Sequence, residues 1–323
     1  MPSPIADLSY RNYDGPLEPP VFRWWAIARA SMQLTLKKRG FWAWAVGSGY
    51  WYFFLVIGFY FVDNFVPPSM DINGKNPIFQ QLIWKDQFLN AFSISQLLLF
   101  ILALMLGAGS IANDNRAKAL LVYLSKPCSK LDYVIGKWFG IFLPITVATL
   151  IPTVFFYIYC AMTYRSYGFL SDDPTLGLRL LAMCFIPGIF HASVALGVSS
   201  LFDQGRLAGA TYAGMYFIPL FVTKVMQFAH MGTLDQTGPT PKTIDFLFYC
   251  SMDGLQIALA KNILHTRGSP LFLSLSGPTS RNPMSNAIVP EPNGLIFTGI
   301  FLLVCGACLA LAWSRVRAVE VVG

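Results

Sequence analysis

Apolar residues along this chain gather in long uncharged blocks rather than in short alternating runs. Six such blocks approach or exceed the roughly 20 residues a helix needs to cross a bilayer core about 30 Å thick. They are Phe41–Val62, Gln87–Ala112, Trp138–Tyr164, Leu180–Phe202, Leu207–Thr223 and Pro292–Ser314, the fifth extendable past Lys224 to Phe228. Inside lipid only helices satisfy every backbone group within one segment, unless strands close into a barrel. Barrel strands run about 10 residues with strict alternation, and a stretch such as Leu97–Leu106 does not alternate. The pattern predicts an all-α polytopic membrane protein with six transmembrane helices, at about 41–62, 87–112, 138–164, 180–202, 207–228 and 292–314.

The segments between the blocks differ in character. Residues 1–21 carry Pro2, Pro4, Pro16, Pro19 and Pro20 and read as an irregular tail. Residues 22–39 mix Trp24, Trp25, Ile27, Met32, Leu34 and Leu36 with Arg and Lys, which suits an amphipathic helix lying in the headgroup region. Residues 229–291 are long for a connection and contain the half-apolar run 244–264, interrupted by Asp245, Asp253 and Lys261. As a seventh span that run would bury charges at a cost of a few kcal/mol each. A re-entrant or interfacial helix is expected there, and 315–323 is a short tail.

Composition supports a membrane protein. The 323 residues are 55% hydrophobic and only 12% charged, about half the charged share of soluble domains. The net charge of +7 would suggest nucleic acid in a soluble protein. Here the cations follow the apolar blocks, so no nucleic-acid partner is expected. With the N-terminus inside, internal segments hold 14 of the 23 Lys and Arg residues, led by Lys37-Lys38-Arg39 before the first span. By the positive-inside rule both termini are expected in the cytoplasm, with the protein in the inner (plasma) membrane. No apolar core precedes a small-residue cleavage site in the first 40 residues, so a cleaved signal peptide is not expected.

Candidate chemistry is sparse. Gly74-Lys75 and Gly136-Lys137 lack the rest of a P-loop, so no nucleotide cofactor is expected on this chain. His191, His230 and His265 have no metal-ligand spacing. Cys305 and Cys308 share a helix face, which reads first as small apolar packing. The second block is the most polar. Asn90, Ser93 and Gln96, with His191 in the fourth block, are candidate path-lining residues, against the plainer reading of hydrogen bonds between helices.

The informative stretch is 111–137, IANDNRAKALLVYLSKPCSKLDYVIGK. Pro127 ends one helix and Ser129 is placed to cap the next. Ile111, Leu120, Leu124, Ser125, Pro127, Ser129, Tyr133, Val134, Gly136 and Lys137 match a segment of the permease subunits of type-2 ABC transporters, which this chain resembles. Asn113-Asp114 stands where that family usually has a glutamate, Lys118-Ala119 replaces Gly-Thr, and Leu121 replaces a second glutamate. A weaker likeness is Ser251–Leu255, similar to an element after the fifth span in some members.

The resemblance implies a cytoplasmic coupling helix between spans two and three. Its residues would be Asn113, Asp114, Arg116, Lys118, Leu120, Leu121, Leu124, Lys126 and Pro127. It implies a separate ABC ATPase subunit that binds ATP, a second permease copy or homologous permease, and ATP-driven transport, with export favoured. Three rivals stand beside it. A secondary transporter would want acidic residues in mid-span, and the six blocks hold none. A membrane anchor or scaffold would carry no cargo. An intramembrane enzyme would want a nucleophile–base pair, and none is legible.

Overall fold

A computed structural model describes residues 22–65, 76–80, 82–117, 129–233, 249–266 and 292–316, with residues 77, 80 and 227–233 described by backbone alone. Helix α1, Arg23–Leu36, precedes the first apolar block. It lies across the start of α7, Lys130–Thr163. The close approach depends on Gly136 and Gly140 of α7, spaced four apart on one face. A Cβ at Gly136 would stand 2.6 Å from the Trp24 carbonyl oxygen, and one at Gly140 would stand 2.8 Å from Ser31 Cβ.

The first block is broken. It forms α2, Arg39–Ser48, and α3, Tyr50–Phe65, bent by 44° at Gly49. Glycine is a usual cause of a sharp kink. Here it also lets the bend rest on Pro152 of α7, which a Cβ would meet at 2.8 Å. After the short α4, Pro77–Gln80, the second block forms α5, Trp84–Gly107, and a turn leads to α6, Ala112–Arg116. Among the described residues the remaining α-helices are α8, Leu176–Ser199; α9, Gly205–Thr233; α10, Met252–Leu264; and α11, Gly294–Arg315.

Helix α7 starts ahead of its apolar block because Ser129 caps it. Ser129 Oγ accepts from the Asp132 N–H at 3.1 Å, and Asp132 returns a bond to the Ser129 N–H at 3.0 Å. This is the reciprocal capping box. At 34 residues the helix is about 51 Å long, well beyond an apolar core of about 30 Å.

Among the described residues four helical stretches are each long and apolar enough to cross a membrane: Trp84–Arg116, Lys130–Thr163, Leu176–Ser199 and Gly294–Arg315. The bent pair α2–α3 makes a fifth if it is one span. Helix α9, over the expected fifth span, is 29 residues long but falls outside that set. Thr211, Tyr212, Tyr216, Pro219 and Lys224 dilute its apolar content.

Helix α8 is the centre of the bundle and packs against α5, α7, α9, α10 and α11. In its most apolar window 78% of residues are buried, against 22% for the peripheral α11. A cluster of aromatic rings closes the end of the bundle where α3 finishes and α5 begins. Trp84, Phe79 and Phe59 surround Tyr164, whose ring centre lies 4.5 Å from that of Phe79. At the same end Asp173 accepts from Lys85 at 2.8 Å and Arg179 at 3.1 Å, and from the Thr175 N–H and hydroxyl. Burial alone would raise this carboxyl. The Lys85 and Thr175 hydrogen bonds and the Lys85 charge outweigh it and hold the pKa at about 2.

Candidate functional site

The end of α5 and the start of α7 are held together by side chains on either side of 118–128. Asp114 of α6 is the hub. Its Oδ2 accepts from the Tyr133 hydroxyl at 2.7 Å and pairs with Lys137 Nζ at 2.7 Å. Lys137 Nζ also donates to the Ser110 carbonyl at 3.1 Å and stands 5.7 Å from the centre of the Tyr133 ring. A lysine in the first turns of a long helix thereby neutralises a carboxylate and satisfies a carbonyl freed where α5 ends.

A second tie comes from the end of α8. Ser199 Oγ accepts from the N–H groups of Ile111 and Ala112 at 3.0 and 3.1 Å and donates to the Ala108 carbonyl at 2.9 Å. One hydroxyl thus fixes the turn between α5 and α6. Helices α5, α7 and α8 therefore converge on the residues that enter and leave 118–128.

The nine coupling candidates divide. Asp114 turns inward to Tyr133 and Lys137. Asn113 is exposed at the foot of α9, near enough to Gly205 for a Cβ there to meet its Oδ1 at 2.7 Å. Arg116 is exposed. Lys118, Leu120, Leu121, Leu124, Lys126 and Pro127 lie outside the described residues.

The path candidates sit inside the bundle. Asn90 and Gln96 are buried on α5, and Ser93, half-buried, donates to the Leu89 carbonyl of its own helix. Gln96 Nε2 donates to the Phe92 carbonyl, while its Oε1 meets no partner among the described residues. His191 of α8 is fully buried. Its Nδ1 lies 2.6 Å from the Tyr212 hydroxyl and its Nε2 lies 3.4 Å from Gln256 Nε2. With the Gln256 amide in this orientation, Nε2 accepts and Nδ1 carries the proton.

Gln256 belongs to α10, which sequence alone leaves undecided between re-entrant and interfacial. The helix packs against α5, α8, α9 and α11 and buries Asp253, Gln256 and Lys261. Ser251 caps its N-terminus, and Lys261 donates to the Tyr249 hydroxyl at 3.1 Å. Gln256 meets His191 in the bundle, while Thr266, just past the helix, donates to Asp86 at the start of α5. Thirteen residues make about 20 Å of helix, too short to cross the core.

Sequence reasoning did not anticipate that Tyr133 and Lys137 hold Asp114, that Gly136 and Gly140 seat α1, or that Tyr212 and Gln256 flank His191. Only the glycine pair carried a signal, the small-xxx-small spacing Gly136-x-x-x-Gly140. Among the described residues no three His, Cys, Asp or Glu side chains form a metal-binding group, and Cys160, Cys184, Cys250, Cys305 and Cys308 are free thiols.

These features define an α-helical, polytopic membrane protein with a permease-like body. The family model described as ABC-2 family transporter protein matches residues 25–316, nearly the whole chain. The chain belongs to the ABC-2 transporter family. No curated protein matches it at a significant level.

Proposed function

We propose that this chain is the membrane-spanning subunit of an ATP-driven transporter, with a separate ABC ATPase subunit docked on the segment that follows Asp114. The observation that carries the reading is the Asp114–Lys137–Tyr133 cluster, with Ser199 beside it. A push on residues 113–126 reaches α5, α7 and α8 through these bonds, so a docked ATPase has a rigid lever to act on. Helix α1, seated on Gly136 and Gly140, braces the same corner.

In this reading the chain has six spans, α9 among them, and both termini in the cytoplasm of an inner-membrane protein. Two permease copies, identical or homologous, enclose a path, and the direction is export. The polar side chains Asn90, Ser93, Gln96 and His191, with Gln256 of α10, belong to that path, and His191 is held in it by Tyr212 and Gln256. ATP is bound by the partner subunit.

The test is co-purification of the full chain with candidate ATPase subunits, comparing the native chain with a variant carrying Leu120→Asp, Leu124→Asp and Lys126→Asp. A stable complex with ATPase activity, lost in the variant, is the expected result. Folded native chain that captures no ATPase would remove the coupling reading and favour a scaffold.

A further inference from the structure

An apolar groove of about 500 Å³ runs along the exposed side of α7 that carries Val147, Ile151 and Phe155, within the range of about 300–1,000 Å³ typical of small-molecule sites. Its wall is the bent pair α2–α3, contributing Trp42, Val46 and Phe53, and its floor is α7, contributing Leu143, Val147 and Phe155. It persists because the bend at Gly49 rests on Pro152. At one end Phe53 and Phe155 close it, their ring centres 5.8 Å apart. At the other end it is lined by Leu36 and by Phe41 and Trp42.

The residues joining Leu36 to Phe41 include Lys37, Lys38 and Arg39, all exposed. Among the described residues no carboxylate pairs with them. The Trp42 indole N–H donates to the Leu36 carbonyl at 2.9 Å, which fixes this rim. An aromatic anchor beside cations is what a membrane–water interface selects.

Groove and rim fit one molecule. From Leu143 to Phe155 the floor is about 18 Å long at 1.5 Å per residue, close to one leaflet of a core about 30 Å thick. An acyl chain entering from the rim reaches the Phe53–Phe155 stop at about the bilayer midplane. Its headgroup phosphate then lies among three cations. Neutral headgroups gain little there, whereas anionic ones gain from each Lys or Arg near the surface. We infer that this groove is a binding site for one acyl chain of an anionic phospholipid, in the leaflet facing Lys37–Arg39, with its headgroup held by Lys37, Lys38 and Arg39. The site lies apart from the polar side chains assigned to the path and does not depend on transport. Only the name of the leaflet, cytoplasmic, follows from the orientation proposed above.

The test is native mass spectrometry of the full chain in detergent, titrated with phosphatidylglycerol or with phosphatidylcholine of the same acyl chains. One tightly held phosphatidylglycerol per chain is expected, with phosphatidylcholine at least about tenfold weaker. Changing Lys37, Lys38 and Arg39 together to Gln should remove the headgroup preference. Val147→Trp, which fills the groove, should remove tight binding of either lipid. Leu303→Trp, on the exposed face of α11, should leave binding unchanged, and a thermal melt of each variant checks the fold. Equal affinity for both lipids in the native chain overturns the inference, as does unchanged binding in the Val147→Trp variant. Competition by glycerophosphoglycerol, which has no acyl chains, would reduce the site to a surface anion site and overturn it as well. Disulfide formation between copies carrying Val46→Cys in native membranes would show that a second chain covers the groove instead.

Discussion

Replacing Asp114 with Asn removes one charge and almost no volume, so it isolates the electrostatic part of the lever. The carboxylate holds two bonds of 2.7 Å, to Tyr133 and Lys137. A hydrogen bond to a charged group contributes about 1.5–3 kcal/mol, and breaking a fully buried ion pair costs about 3–5 kcal/mol. The Lys137 and Asp114 side chains are 11% and 19% exposed. Water therefore takes up part of the loss, Lys137 keeps the Ser110 carbonyl, and we expect about 2 kcal/mol. At about 1.4 kcal/mol per factor of ten, this is roughly a thirtyfold shift in the folding equilibrium. Equilibrium unfolding in mixed micelles reads it, repeated for Tyr133→Phe, Lys137→Met and each double variant with Asp114→Asn. Residues in one network should couple by about 0.5–3 kcal/mol. Additive effects, or an Asp114→Asn variant within about 0.5 kcal/mol of native, would refute the claim that these side chains act as one unit.

Three further outcomes follow from the same geometry. Gly136→Ala should destabilise the chain by about 1–3 kcal/mol, since its Cβ meets the unyielding Trp24 carbonyl. The same variant should speed tryptic cleavage at Arg29 as α1 loosens. Tyr212→Phe should cost about 1–3 kcal/mol by stranding the buried His191 Nδ1, and adding His191→Leu should recover part of it, both read by thermal unfolding. The Asp173 carboxyl has a lower pKa folded than unfolded, about 2 against 3.8. The stability it adds over Asp173→Asn should be complete above about pH 4 and fade as pH falls to about 2, in melts across that range. A gap that widens on acidification would contradict this sign.

The apolar blocks were legible because 20-residue hydropathy needs no partner to be read. The all-α class and the family resemblance followed from them and from Leu124–Lys137. Subtler features depended on neighbours. Gly49 is one small residue in an apolar run, and only its contact with Pro152 makes it a hinge. Asp245, Asp253 and Lys261 argued against a seventh span and left a re-entrant or an interfacial helix. The structure nevertheless buries α10 against its neighbours, with Lys261 donating to the Tyr249 hydroxyl. Asp114 and Lys137 stand 23 residues apart in the chain, so no helical spacing relates them. Their pairing appears only once α6 is folded against α7. His191 was legible as a buried polar residue, but its partners come from α9 and α10, which sequence could not place beside α8.

The central claim is that an ATPase subunit docks beside α6. The most direct measurement places a single cysteine at Arg116, in a chain otherwise freed of cysteine, and cross-links it to a candidate ATPase in membranes. The account predicts a specific cross-link that changes with ATP binding, while Leu303→Cys on α11 gives none. An Arg116→Cys side chain that never cross-links to an ATPase, and that reacts with a membrane-impermeant thiol reagent added outside intact cells, would contradict both the docking site and the orientation on which it rests.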